Sequence, residues 1–254
     1  MTFESQRYQF ATEGYAVFAG ALSGAMLEML REQCSLCIKR EDARMDALGV
    51  DSIGITHRGR RYFANQCQRT QPPLRQVLFS PVMADICRAT LGEDAYFFFD
   101  QFVVKGPEGG LPFGWHQDSG YVVGNGGPAD HAPYLTCWCP LDDATVENGT
   151  VSVLPFSRVP ASGQGILPHQ RQPQTNDLVG WAEATGAVTL EVPAGSIVAF
   201  SSLLLHATGA NRTDKLRRVY LAQYTREVML NPGTRQLRNN AVPLLLKGEI
   251  ATVA

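Results

Sequence analysis

Downstream of Gly92 the chain passes through seven short segments rich in β-branched and aromatic residues, separated by clusters of Gly, Pro, Asn and Asp. They are Tyr96–Lys105, Tyr134–Leu141, Val151–Leu154, Val188–Val192, Ser196–Phe200, Leu203–Ala207 and Val219–Arg226. No helical pattern intervenes between successive segments. A doubly wound parallel sheet needs a crossover helix between neighbouring strands, so this order favours an antiparallel sandwich or barrel. A chain of 254 residues, 44% of them hydrophobic, suffices to bury the core of one such β-rich domain.

The first 92 residues read differently. From Ser23 to Ile38, Met26, Leu27, Leu30, Cys34, Cys37 and Ile38 mark one helix face, with Ser23 as N-cap. A second helix is expected from Pro81 to Leu91, with Ser80 as its cap, Pro81 at its first position and Gly92 as its stop. No Gly/Ser/Pro-rich linker separates this helical part from the strands, so the two are expected to pack together. Segments 108–114, 120–133 and 157–185 read as long loops, the usual place for lids and binding loops.

Composition removes several function classes. Twenty-two Lys+Arg against 24 Asp+Glu give a net charge of −2, which leaves no electrostatic footprint for nucleic acid or an anionic membrane. No apolar run reaches the roughly 18 residues of a membrane span, and the amino terminus lacks a signal-peptide pattern. A soluble cytoplasmic protein with a small-molecule partner is expected. Six cysteines are too dilute for a disulfide scaffold, and Cys34 and Cys37, although spaced C-x-x-C, read as helix core.

Chemistry concentrates at Trp115-His116-Gln117-Asp118. In an extended segment His116 and Asp118 point to one face, since side chains alternate with period two. His206 ends the apolar run Ser-Ser-Leu-Leu-Leu-His and is expected to project into the sandwich, where an imidazole must find a partner. A hydrogen-bonded core histidine is one reading. Two imidazoles and a carboxylate on one side of a divalent ion, the facial triad of non-haem Fe(II) oxygenases, is the other. Arg217, eleven residues beyond His206, opens a strand where a guanidinium matches a carboxylate bidentately. Arg212 and Arg218 read as solvated turn and strand-edge positions.

These residues resemble a family. Trp-His116-Gln-Asp118, the stretch Trp138-Cys-Pro-Leu-Asp-Asp143-Ala-Thr-Val-Glu147-Asn148-Gly149, and His206-Ala-Thr208 followed by Arg217 are similar to the phytanoyl-CoA dioxygenase-like branch of the Fe(II)/2-oxoglutarate oxygenases. The opening Phe10-Ala-Thr-Glu-Gly14-Tyr15-Ala-Val17 matches as well. The resemblance implies a mainly β protein with a double-stranded β-helix (jelly-roll, cupin-like) core and flanking N-terminal helices. It implies one domain over 1–254: about 1–92 as helical support, 93–228 as core and 229–254 as a C-terminal tail.

It also implies Fe(II) held by His116, Asp118 and His206, and 2-oxoglutarate and O2 as cosubstrates. Arg217 would take the distal carboxylate of 2-oxoglutarate, helped by Thr208. Gln101 and Lys105, on one face of their strand, resemble residues near the cosubstrate's other end, and Thr136 and Trp138 would line the same pocket. Packing or surface roles are the alternative for these four, because alternation does not say which sheet face is inward. The implied reaction is hydroxylation of a C–H bond, with succinate and CO2 as coproducts. A metal-dependent isomerase or 2-oxoglutarate-independent oxygenase on the same scaffold, and a non-catalytic binding module, are the competing readings.

Departures from the family pattern bear on the substrate. Ser119-Gly-Tyr121-Val-Val-Gly124 lacks the longer signature of ectoine hydroxylases, and Pro155-Phe-Ser-Arg158 replaces a usual Pro-Gly-Ser-His. Asp118 is kept where halogenating relatives lose the carboxylate. His57-Arg-Gly-Arg60-Arg61-Tyr62-Phe63 reads as a solvated basic loop, with contact to an anionic substrate at a pocket mouth as the alternative, the 120–133 loop as a mobile lid, and His131 and His169 as loop residues exposed or facing substrate. No coenzyme A determinant is legible, so the expected substrate is a free small metabolite or natural-product intermediate.

Overall fold

The computed structural model describes residues 3–107, 109–159, 165–180 and 185–252. Its first helix, α1 (Glu4–Glu13), was not expected from the pattern. None of its residues is buried, so it carries no apolar stripe to read. In α2 (Gly24–Leu48) the Ser23 hydroxyl accepts the Met26 N–H at 3.3 Å, and left-handed Gly49 ends the helix. It runs past Ile38 because Glu41 and Met45 continue the buried stripe of Leu30, Cys34 and Cys37 through a polar sequence. In α3 (Pro81–Thr90) Ser80 is the cap and Pro81 the first residue, as the sequence dictates. All six cysteines are free and buried. Among the described residues no helix is long and apolar enough to cross a membrane.

The strands that build the site are β1 (Tyr15–Phe18), β2 (Arg61–Asn65), β3 (Ala95–Lys105), β4 (Phe113–His116), β5 (Leu135–Pro140) and β6 (Val151–Leu154). They are followed by β7 (Val188–Thr189), β8 (Ile197–Ser201), β9 (Leu205–Thr208), β10 (Arg217–Thr225) and β11 (Val242–Leu246). The larger sheet runs β1-β8-β5-β10-β3-β2, extended beyond β2 by the hairpin Ser52–Ile53/Thr56–His57. The smaller sheet runs β7-β6-β9-β4, and every pairing named here is antiparallel.

Alternation divides the larger sheet into two faces. Cys137, Ala199, Tyr220, Ala222 and Tyr224 lie in one cluster with Leu30, Cys34 and Met45 of α2. Trp138, Val198, Phe200, Val219 and Leu221 lie in a second cluster with Val151 and Val153 of the smaller sheet. The larger sheet is thus sandwiched between helices and the smaller sheet. Its second face carries Gln101, Lys105, Trp138 and Arg217, which decides the orientation that alternation alone left open.

Four expectations need correction or refinement. The stretch 120–133 is not loop throughout, since the helix α4 (Asp118–Gly124) occupies its beginning. Gln170–Arg171 pairs with Leu178–Val179 within the expected 157–185 loop. The C-terminal tail carries strands of its own: β11 pairs with the start of β3 and, through Leu245 and Leu246, with Glu249–Ile250. Finally, the basic segment 57–63 is a solvated turn only at 58–60. Arg61 to Asn65 form β2, and Arg61 is fully buried because Asp177 pairs with it at 2.8 Å.

Candidate active site

Ninety residues apart in sequence, His116 and His206 are direct cross-strand partners of β4 and β9. Their rings lie 4.1 Å apart and both residues are buried. Each Nδ1 faces a backbone carbonyl two residues upstream, Gly114 at 2.8 Å and Leu204 at 2.9 Å. A carbonyl oxygen only accepts, so Nδ1 carries the proton and the Nε2 lone pair is left free as a ligand. Burial, then the neighbouring His206, holds the His116 pKa well below the ordinary imidazole value, keeping it in the neutral form that a metal requires.

Asp118 opens α4 and is not part of a continuing strand. Gln117 before it is extended (φ −114°, ψ 140°), so the expected same-side placement of His116 and Asp118 survives the change of element. Asp118 Oδ1 lies 4.0 Å from His116 Nε2 and 3.8 Å from His206 Nε2. Its other oxygen accepts from the Thr136 hydroxyl and, at 3.1 Å, from the Gln223 amide. The three side chains form a group able to hold a metal ion, with one ligand atom from each and all within 4.8 Å of one another. Two imidazoles and one carboxylate on one side are the donor set of a facial triad with positions to spare.

The triad faces a cavity of about 520 Å³ that Gln101, Lys105, Trp138, Thr208 and Arg217 also line. Thr136 instead sits behind Asp118, its hydroxyl engaged with the carboxylate. Arg217 is fully buried, and its Nε and both Nη atoms have no hydrogen-bond partner. The Trp138 ring lies 5.8 Å away. Burial lowers the Arg217 pKa to about 10, an amount that still leaves it charged at neutral pH. A buried guanidinium with no partner is costly, and an anionic ligand in the cavity supplies what it lacks.

Arg217 is one of three bases in a cross-strand row. Arg61, Lys105 and Arg217 are register partners on β2, β3 and β10, and all three are buried. Like charges directly opposite repel. Asp177 relieves Arg61, and Lys105 donates to the Gly209 carbonyl. Burial, with Arg217 and Arg61 adding to it, pulls the Lys105 pKa down to about 5. The unfolded chain therefore binds a proton at Lys105 up to its ordinary pKa near 10.5, whereas the folded chain binds it only below about 5. Stability must rise with pH between those limits, by up to about 1.4 kcal/mol per unit from this group. Urea unfolding of metal-free protein from pH 6 to 9 should show that slope, and Lys105→Met should flatten it. An equal slope in the variant would contradict the assignment.

A family model described as Phytanoyl-CoA dioxygenase (PhyH) matches residues 10–219, a span that includes His116, Asp118, His206 and Arg217. The chain belongs to the phytanoyl-CoA dioxygenase family. It is a 2-oxoglutarate-dependent non-haem iron oxygenase, with iron and 2-oxoglutarate as its cofactor and cosubstrate. A comparison with curated proteins found no match. Among solved structures, EvdO2 from Micromonospora carbonacea var. aurantiaca complexed with 2-oxoglutarate is similar at a TM-score of 0.69 and 23% identity, covering 94% of this chain and 96% of that one. The non-heme α-ketoglutarate-dependent carbocyclase SnoK from nogalamycin biosynthesis is similar at 0.69 and 20% identity, covering 91% and 86%. EctD from S. alaskensis, with 2-oxoglutarate and 5-hydroxyectoine, follows at 0.66 and 20% identity, covering 93% and 78%. At these identities the likeness is one of fold.

Sequence reading missed two parts of this family member's site. Gln223, which holds Asp118 together with Thr136, lies at the end of the series Arg217, Val219, Leu221, Gln223 on one face of β10, so alternation from Arg217 was a usable signal. The second part is the wall behind the motif. His169 is not a loose loop residue: its Nε2 accepts the Gln117 N–H at 3.0 Å, between two of the triad members. A Cβ on Gly120 would lie 2.1 Å from its ring, which explains a glycine inside α4. His131, by contrast, packs beside Tyr134 at 5.7 Å. Removing a group that orients a ligating carboxylate typically costs 10–100-fold in metal affinity. Gln223→Ala should therefore weaken iron(II) binding by about that factor in a competition assay with a chromogenic chelator. An unchanged affinity would mean that Thr136 alone orients Asp118.

Proposed function

We propose that the chain hydroxylates a C–H bond of a small metabolite or natural-product intermediate, with His116, Asp118 and His206 holding Fe(II). In this reading Arg217, assisted by Thr208, takes the distal carboxylate of 2-oxoglutarate, and Gln101, Lys105 and Trp138 border the cosubstrate. The two sheets are the halves of a double-stranded β-helix, and the helices and C-terminal strand complete a single domain. Six free, buried thiols suit a reducing, cytoplasmic setting.

The observation that carries the reading is the buried, unpartnered Arg217 guanidinium in the same cavity as the His-Asp-His group. A histidine pair alone serves many metals. A fixed cation across the cavity asks for a dianionic partner that can also reach the metal, and 2-oxoglutarate has its second carboxylate and keto group at the other end. Bound iron with 2-oxoglutarate supplies the oxidising chemistry: substrate R–H, 2-oxoglutarate and O2 become R–OH, succinate and CO2. The protein fixes the ligands through Gly114, Leu204, Thr136 and Gln223, neutralises the cosubstrate through Arg217, and excludes water with the aromatic wall of Phe113, Trp138 and Phe200.

The experiment is succinate formation from 2-oxoglutarate by the purified protein under air with Fe(II). Slow uncoupled turnover that requires added iron supports the reading. Absence of iron-dependent succinate, alone and with a panel of candidate metabolites, would favour an isomerase or a non-catalytic module.

A further inference from the structure

Besides the His-Asp-His group and the proposed 2-oxoglutarate anchor, the cavity is lined by Asn125, Arg171, Asn176 and Arg238. Arg171 comes from the 170–179 hairpin and Arg238 from the segment leading into β11, yet both are fixed to the same residue. Arg171 Nη2 donates to Asn125 Oδ1 at 3.4 Å, and Arg238 Nη2 donates to the Asn125 carbonyl at 3.3 Å. Arg171 Nη1 also donates to the Asn176 carbonyl at 2.9 Å and to its Oδ1 at 3.1 Å. Arg238 donates further to Asn231 Oδ1 at 3.0 Å and to the Val122 carbonyl at 3.1 Å. Every one of these partners is a neutral amide oxygen.

In this Arg171 and Arg238 differ from the ion-paired arginines. Arg58, Arg61, Arg88 and Arg218 each have a carboxylate within hydrogen-bond reach, and Arg44, which also lines the cavity, has Glu41 at 3.7 Å. Among the described residues Arg171 and Arg238 have no carboxylate within 4.0 Å. Their orientation is fixed while their charge is left uncompensated. Burial also lowers the Arg238 pKa, a sign that its charge sits partly out of water. The same cavity is lined by the aromatic residues Phe98, Tyr121 and Tyr134, with the Phe98 and Tyr134 rings 5.3 Å apart and the Tyr121 ring 5.4 Å from that of His116.

We propose that Arg171 and Arg238 form a clamp for an anionic group on the enzyme's substrate, which is an organic acid with an aromatic or alicyclic body lying along Phe98, Tyr121 and Tyr134. The proposal rests on the oxygenase reading of the same cavity and names its substrate class. Charge bookkeeping agrees with it. Arg217 is assigned to 2-oxoglutarate and Arg61 is neutralised by Asp177, which leaves Arg171 and Arg238 as hydrogen-bonded cations without a carboxylate among the described residues. A carboxylate, sulfonate or phosphate presents several acceptors to two guanidinium forks, whereas a neutral group would leave both charges without a counter-ion.

The test uses two fluorescent probes of one shape, anilinonaphthalene sulfonate and its uncharged counterpart N-phenylnaphthylamine, titrated into the anaerobic iron(II) and 2-oxoglutarate-loaded enzyme. The sulfonate should bind at one site at least about tenfold more tightly than the neutral probe. That preference should vanish in Arg171→Gln/Arg238→Gln and persist in Arg171→Lys/Arg238→Lys. Binding of the neutral probe and of 2-oxoglutarate should be unchanged in both variants, which confirms that they fold. Equal binding of the two probes, no sulfonate binding, or a preference that survives the glutamine variant would overturn the clamp. Failure of the oxygenase reading would show separately, as absent 2-oxoglutarate binding by the wild-type protein.

Discussion

Arg217→Met should weaken 2-oxoglutarate binding by at least about a hundredfold and, in the same protein, make the ligand-free fold more stable. The two effects have one cause. The guanidinium is fully buried without a hydrogen-bond partner, next to the partner strand's Lys105. In the free protein it is a desolvated charge, and replacing buried ionic groups by apolar ones of similar volume stabilises proteins by about 1–4 kcal/mol. In the proposed complex it would be one half of a buried, bidentate pair, and truncating such a pair costs about 2–5 kcal/mol. A loss of about 2.8 kcal/mol is a hundredfold in affinity. Methionine keeps the length and the contact with Trp138 while removing the charge. Urea unfolding of the metal-free variant and a 2-oxoglutarate titration of the iron(II) variant read the two effects separately. Lower stability with unchanged affinity would show that Arg217 is structural.

His116→Ala should abolish iron retention and reduce succinate formation by about a thousandfold or more. His206 and Asp118 remain, but two donors spread between β9 and the start of α4 no longer enclose an ion from one side. Loss of several kcal/mol of metal-dependent rate acceleration is a thousandfold at 1.36 kcal/mol per decade. Iron content after desalting, measured beside circular dichroism, distinguishes an empty site from an unfolded chain. Stoichiometric iron in the folded variant would place the metal elsewhere.

How much of this was legible depended on how local each signal was. The helix caps at Ser23 and Ser80, and the strands β3, β5, β6, β8 and β10, follow from propensity and punctuation within ten or so residues. The four residues proposed as triad and anchor stood out in the sequence because their motifs are compact and resemble those of a family. Their cross-strand register did not: nothing near His116 announces that it lies beside His206. Local charge also misled. Arg61 sits among other basic residues and looks solvated, but Asp177, 116 positions away, lets it enter the interior. Likewise His169 reads as a loop histidine until the Gln117 amide and the gap left by Gly120 are in view. Long-range neutralisation and close packing against glycine are properties of the folded chain, so single-sequence patterns do not carry them.

The most direct measurement of the central claim is an anaerobic calorimetric titration of the iron(II) protein with 2-oxoglutarate. One equivalent should bind to the wild type, none to His116→Ala, and only at much higher concentration to Arg217→Met. Binding that is equally tight without iron, or in either variant, would contradict the account.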